Sequence, residues 1–405
     1  MSIVTEKFLK LGCENAPGQE GRQQAGKLSL RGENLSGRAV DFSHGDVNTD
    51  AFEPTPGSLE VFNAGVQQGG SVAYTEYRGS KIARADLAIK LADFTGAPVD
   101  AERELIITPG SQGALFLALG ASVGRGDKVA IVQPDYFANR KLVEFFEGEI
   151  MSIRMDYLGT DRDSGLDLSA LEAAFKAGAK TFLFSNPNNP AGVIYSEQEI
   201  KTIAALAEKY NALVIVDQLY SRLLYDDRKY THLRAMDINP ENVVTIMGPS
   251  KTESLSGYRL GVGFGSAKMI DRMEKLQAIV SLRAPGYSQA VLKTWFAEPQ
   301  GWMQERIKQH QAIRDDLLSL FRGVEGVKIR TTEAGSYIFP QIPALAVSVP
   351  EFVKILRLQA AVTVTPGTEF APYLEDSFRL NFSQNHVAAI DAIGRIVTLI
   401  ERYRN

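Results

Sequence analysis

The 405-residue sequence carries one cysteine, Cys13, so an intrachain disulfide is excluded and a reducing compartment poses no difficulty. Cys13 reads as inert. The four histidines, His44, His232, His310 and His386, are scattered without metal-ligand spacing, and no structural metal is expected. Lysines and arginines form no runs and the formal net charge is -4. That argues against a nucleic-acid partner, because phosphate binding needs clustered basic residues. The N-terminal stretch lacks the apolar region of a secretion signal, and no apolar run is long enough to span a bilayer. A cytoplasmic protein without a membrane partner is the expectation.

What is present is an ordinary globular composition, 44% hydrophobic and 23% charged. The length exceeds one compact core and predicts a large and a smaller domain sharing a cleft. Residues 1–46 read as an arm, with a short helix around Ile3 to Leu11, together with part of the small domain. Residues 47–290 read as the large domain, and 291–405 as an interdomain helix and the small C-terminal domain. Within the large domain the apolar runs at 104–108, 128–132, 150–155, 181–185, 212–217, 243–247 and 260–265 predict seven strands. Amphipathic stretches such as GALFLALGASV and EQEIKTIAALAEKY lie between them. Strands alternating with crossover helices predict an α/β fold with a mostly parallel, doubly wound sheet. Later segments predict a smaller α+β unit. They are the helical SQAVLKTWF and WMQERIKQHQAIRDDLLSLF, the strands GVKIRT, GSYIFP, VTVTP and SFRLNF, and a closing helix AAIDAIGRIVTLIERY.

Ligands of such sheets bind beyond the carboxyl ends of the strands, so the residues just after each strand matter most. After ELIIT, the Thr108–Gly113 turn opens a helix and suits either a phosphate or a plain tight turn. After KVAIV, Tyr136 either stacks on a flat ligand or caps a core edge. After TFLFS comes Asn186-Pro187-Asn188-Asn189-Pro190-Ala191-Gly192, whose prolines stiffen a loop bearing three amides; Asn189 either projects from it or makes an Asx turn. Asp217 ends a buried strand on a carboxylate, which demands a positive partner, either a group in the cleft or the other half of a buried structural ion pair, and Tyr220 follows one turn later. After VVTIM, Lys251 is either an ordinary solvated lysine or, facing a closed cleft that would lower its pKa, a Schiff-base lysine, and only its combination with the other strand ends favours the second.

Taken in this order, from Tyr74 to Arg379, these segments resemble the class I/II aminotransferases of the fold-type I enzymes dependent on pyridoxal 5′-phosphate (PLP). The resemblance rests on N-P-N-N-P-x-G, D-x-x-Y, S-K with R-x-G downstream, and a late R-L-N. It implies that Lys251 carries PLP as a Schiff base and moves the substrate's Cα proton, and that Asp217 pairs with the ring nitrogen. Asn189 and Tyr220 would bond the ring's phenolic oxygen, and Tyr136 would stack on the ring. Ser111, Gln112, Ser250 and Arg259 would hold the phosphate. Arg379 would clamp the substrate α-carboxylate, with Asn189 and a backbone amide at Gly45 beside it. Tyr74 would reach the phosphate of a neighbouring subunit, which implies a homodimer. The implied reaction moves the amino group of an L-amino acid to a 2-oxo acid by a ping-pong cycle.

The pattern departs from the family at several positions. Gly248 stands where a Ser or Thr is usual, Gln218 follows the aspartate in place of an acidic residue, and Ala191 replaces a Thr. His44, Gly45 and Asp46 occupy the segment that commonly reads Gly-x-Pro. Three other readings compete. A PLP-dependent β-elimination lyase uses the same residues. A non-enzymatic regulatory module would need a DNA-binding extension, and none precedes residue 40. A nucleotide-dependent oxidoreductase has only Gly261-Val262-Gly263-Phe264-Gly265 in its favour, without the third glycine of the dinucleotide fingerprint.

Overall fold

The computed structural model describes residues 3–11, 28–44 and 50–405. Cys13, Gly45 and Asp46 lie outside the described residues. All seven strands expected for the large sheet form: β1 (Leu105–Pro109), β2 (Lys128–Gln133), β3 (Glu149–Arg154), β4 (Thr181–Ser185), β5 (Leu213–Asp217), β6 (Val243–Met247) and β7 (Leu260–Gly265). Their spatial order is β1-β7-β6-β5-β4-β2-β3. All pairings are parallel except those of β7, which runs antiparallel to both β1 and β6. The central strands are apolar throughout because both faces are covered. In β4, Phe182 and Phe184 enter one core with Leu171, Ile200 and Ile203, while Leu183 enters the other with Leu115, Leu119 and Met273.

The crossover helices follow their sequence signals. The helix Glu197–Tyr210 opens on a Ser196/Glu199 capping box and turns Ile200, Ile203, Ala204 and Ala207 onto the sheet. It closes at Asn211, whose φ of 46° is left-handed. Losing the Ser196 cap would cost about 1 kcal/mol.

A third core joins the long helix Trp302–Arg322, the helices Val349–Ala360 and His386–Tyr403, and the strands around Ile338 and Leu380. Val40, Phe42 and Phe52 from the N-terminal part are built into it. Val40–Asp41 pairs in parallel with Val362–Thr363, and Thr365–Pro366, Phe378–Asn381 and Tyr337–Ile338 form a small antiparallel sheet. The helix Ile3–Lys10 lies along Phe137–Phe145, with Lys7 3.0 Å from Glu147.

Two expectations are corrected. GVKIRT forms no strand: Lys328 makes one isolated bridge to Gln341, although the alternating pattern suited an extended segment. SQAVLKTWF is not a continuous α-helix, since Gly286–Gln289 passes into a 3-10 turn at Ala290–Thr294 and Phe296 takes a φ of 62°. There Val291, Leu292 and Trp295 bury themselves fully, and that packing overrides helical propensity.

Candidate active site

The carboxyl ends of β1, β2, β4, β5 and β6 open on one side, and β7, running the other way, brings its first residues to the same edge. There lies a cavity of about 270 Å³. Strand ends on one side of it supply Ser111, Gln112, Tyr136 and Asn189. Asp217 and Tyr220 follow β5, while Ser250, Lys251 and Arg259 fill the segment between β6 and β7. Arg379 arrives from the small antiparallel sheet. Ten of the twelve residues singled out from sequence thus line one cavity. Tyr74 does not: it is 75% exposed, beneath the Arg283 guanidinium at 4.1 Å. Gly45 lies outside the described residues, although its neighbours Ser43 and His44 line the cavity.

The anion end is built from backbone. Helix Gly110–Ser122 starts after Pro109 with no side-chain cap, so its first N–H groups face the cavity edge. Gly110 has φ 78°, and a Cβ on it would meet Arg259 Nη2 at 2.6 Å. A Cβ on Gly261 would lie 2.2 Å from the Ser111 backbone nitrogen. Helix start and guanidinium therefore converge only because both positions are glycine. A Cβ at Gly248 would meet the Leu260 carbonyl at 3.1 Å, so a hydroxyl side chain there would be tight against β7.

Asp217 is the carboxylate at the cavity floor. Burial pushes it up to about 6, against a backbone bond from the Leu219 N–H (3.0 Å) and the Lys251 charge, which both favour its ionised form. Among the described residues no guanidinium meets it, so a cationic group entering the cavity would relieve it. Gln218 faces away, fully buried, its Oε1 3.1 Å from His232 Nδ1. The period-2 alternation carried on from β5 puts the two neighbours on opposite sides.

Of the three loop amides, Asn188 makes the Asx-type turn, accepting from the Ala191 N–H (3.0 Å) and donating to the Pro134 carbonyl (3.1 Å). Asn189 projects. Its Oδ1 accepts from Arg379 Nη1 at 2.9 Å, which orients its NH₂ as the donor left for a ligand. Its own N–H donates to Ser185 Oγ (3.1 Å), and that hydroxyl donates to buried Asp135. Arg379 is 3% exposed; Nη2 donates to the Ser43 carbonyl (2.8 Å), and its plane rests on Tyr337 (4.3 Å) and Phe370 (4.7 Å). No carboxylate meets it among the described residues, and its buried Nε has no partner there. A buried guanidinium held by neutral groups alone is a site for an incoming carboxylate.

Sequence reasoning missed Tyr337, Ser185 and Thr365, all of which line the cavity. Tyr337 lies opposite Asn381 on the strand adjoining Arg379's, so register puts it on the arginine's face. Alternation within GSYIFP was the available signal.

The donor set fits a planar, phosphorylated, cationic ring: an anion cradle, a carboxylate, a lysine and two donors for a ring oxygen. The chain belongs to the aminotransferase class I and II family, whose model matches residues 39–393. It is a PLP-dependent aminotransferase with the fold-type I architecture. A crystal structure of an aspartate aminotransferase from Rhodobacter sphaeroides is 65% identical to it, with a TM-score of 0.93, covering 99% of this chain and 100% of that one. The aspartate aminotransferase of Pyrococcus horikoshii is 26% identical over 81% of this chain and 83% of its own length. The aromatic aminotransferase structure from the same organism, 21% identical with a TM-score of 0.82, covers 90% of this chain and 96% of that one and shares the fold. None of these comparisons favours a lyase.

Among the described residues no helix is long and apolar enough to cross a membrane, and no cluster of metal-ligating side chains occurs.

Proposed function

We propose that this cavity transfers the amino group of an L-amino acid to a 2-oxo acid, with Lys251 as the group that anchors PLP and moves the proton at the substrate Cα. The observation that carries this reading is the convergence of Asp217, Lys251, Arg259 and Arg379, from four separate segments, on one cavity. When bound, PLP supplies a carbonyl that takes up an amine and a conjugated ring that draws off the electron pair left by the departing proton. Arg379 grips the substrate α-carboxylate in a planar fork and so orients Cα. Asp217 stays ionised against the ring nitrogen and keeps that nitrogen protonated. Asn189 and Tyr220 donate to the phenolic oxygen, Tyr136 covers the ring, and the Ser111–Gln112 amides, Ser250 and Arg259 hold the phosphate.

Aspartate is the amino donor we favour, because the 65% identical relative bears that name. Among the described lining residues His44 has no other assignment, and its Nε2 lies 3.5 Å from Asp41 Oδ2. We further propose a cytoplasmic homodimer in which Tyr74 enters the partner's site. Supporting this, Tyr74 and Tyr77 are exposed, neither lines its own cavity, and Arg283, next to the exposed Leu282, lies against both rings. The segment is anchored from beneath by Arg283 and Gln289, which hold Thr75.

The test is a spectral titration of the PLP-loaded protein with individual amino acids. Aspartate is expected to discharge the visible band and leave the aminated cofactor, and a 2-oxo acid to restore it. Release of pyruvate and ammonia from a three-carbon amino acid with a β-leaving group, without the aminated form from any amino acid, would refute transamination. Borohydride treatment followed by peptide mapping is expected to find the cofactor on Lys251, and a label on any other residue would refute that assignment.

A further inference from the structure

Tyr220 and Tyr337 are both buried, and their hydroxyl oxygens lie 2.7 Å apart. Their rings meet edge-on at 5.3 Å and 76°. Neither is free to move away. Tyr337 is held in the ladder opposite Asn381, and its carbonyl accepts from Thr332 Oγ1 at 2.8 Å. Tyr220 packs against Gly335, whose φ of 77° brings the turn close; a Cβ there would touch the Tyr220 ring at 3.3 Å. A phenylalanine at 337 would fill the same apolar volume, so packing alone does not call for the hydroxyl.

A phenol carries one proton to donate and two lone pairs to accept with. Burial pushes the Tyr220 hydroxyl well above its ordinary range, so Tyr220 keeps its proton. That proton can point at Tyr337 or into the cavity, and one bond decides which. The Arg379 guanidinium sits 4.3 Å from the Tyr337 ring centre, and a cation on a ring face draws electron density from the ring and makes its O–H the better donor. Asp217, Lys251 and Arg259 are the other charged groups lining the cavity beside the pair, with the titratable His44 and Tyr136.

We propose that Tyr337 is a positioning residue: it donates its hydroxyl proton to Tyr220 Oη and thereby directs the Tyr220 proton at the phenolic oxygen of the bound cofactor. The inference rests on the reading that Tyr220 faces that oxygen. A hydroxyl that accepts one hydrogen bond donates a stronger one, so Tyr337 also strengthens the bond Tyr220 makes. Because the same ring floors Arg379, the substrate-carboxylate site and the cofactor's oxygen share one side chain as a common wall.

The experiment is a pH titration of the visible absorbance of PLP-loaded wild type, Tyr337→Phe, Tyr220→Phe and the double variant, without substrate. Donors to the phenolic oxygen favour the deprotonated chromophore, so weakening them moves the midpoint upward. Tyr337→Phe is expected to raise the midpoint by about half a pH unit, as the loss of part of one neutral hydrogen bond implies. In the Tyr220→Phe background the same change is expected to add nothing. A Tyr337→Phe midpoint equal to wild type, or an equal shift in both backgrounds, overturns the proposal while leaving Tyr220 at the cofactor. A Tyr220→Phe midpoint equal to wild type overturns the underlying reading and the proposal with it. Thermal melting of all four proteins separates loss of fold from loss of the hydrogen bond.

Discussion

Replacing Asp217 by asparagine is expected to stabilise the cofactor-free protein and weaken its hold on PLP. The carboxyl has an ordinary value of 3.8 and is pushed up to about 6 by burial. A carboxyl raised on folding binds its proton more tightly in the folded state. Its cost is absent below pH 3.8, grows as pH rises from 3.8 to about 6, and is constant above that. The full gap corresponds to about 3 kcal/mol at neutral pH, and solvent entering the open cavity reduces this to about 2 kcal/mol. At pH 5 about half of the effect should survive. Asparagine is isosteric and never ionises, so the variant recovers this energy. The assay is thermal melting of apoprotein, stripped of PLP by a carbonyl reagent, at pH 7.5 and pH 5. A rise in Tm of about 2–3 °C is expected at the higher pH, and a smaller one at the lower. With PLP bound the order reverses, since asparagine cannot neutralise a protonated ring nitrogen. An apo variant no more stable than wild type at pH 7.5, or equally favoured at both pH values, would refute the argument.

Three other substitutions probe separate parts of the cavity. Gly110→Ala introduces a Cβ at φ 78° that collides with Arg259 Nη2, so PLP affinity measured by fluorescence titration is expected to fall about tenfold or more, with the fold intact by circular dichroism. Arg379→Lys keeps the charge but loses the fork that holds Asn189 and Ser43, and steady-state kinetics should find KM for the amino acid raised about 10- to 100-fold. An unchanged KM would remove Arg379 from the carboxylate site. Tyr74→Ala changes nothing in its own cavity, yet it is expected to weaken PLP binding in a way that depends on protein concentration, read by titration alongside analytical ultracentrifugation. A monomeric wild type would refute the shared site.

Much of this was legible in the chain. Six of the seven large-sheet strands are short apolar runs because they are buried on both faces, and that burden is written directly into composition, whereas edge strand β3 exposes Glu149, Ser152 and Arg154. Ser196 and Glu199, or Asn211, announce helix ends by local hydrogen bonding, which needs no tertiary context. Motifs at strand ends pointed to Lys251, Asp217 and Asn189 for the same reason, since topology sends all strand ends of a parallel sheet to one edge. GVKIRT and SQAVLKTWF misled because alternation and propensity are local, whereas a lone bridge at Lys328 and the burial of Trp295 are decided by distant neighbours.

Sequence by itself determined the family, the sheet and the chemical identity of the main groups, because those depend on residue type and order. Tertiary structure alone decided their alignment. The bond from Arg379 to Asn189 spans 190 residues, and Tyr337 meets Tyr220 across 117. The close approach of Gly110 to Arg259, and the turning of Gln218 away from the cavity, are likewise geometric. Which lone pair, N–H or ring face is left for a ligand depends on contacts between segments far apart in sequence, and no local pattern records them.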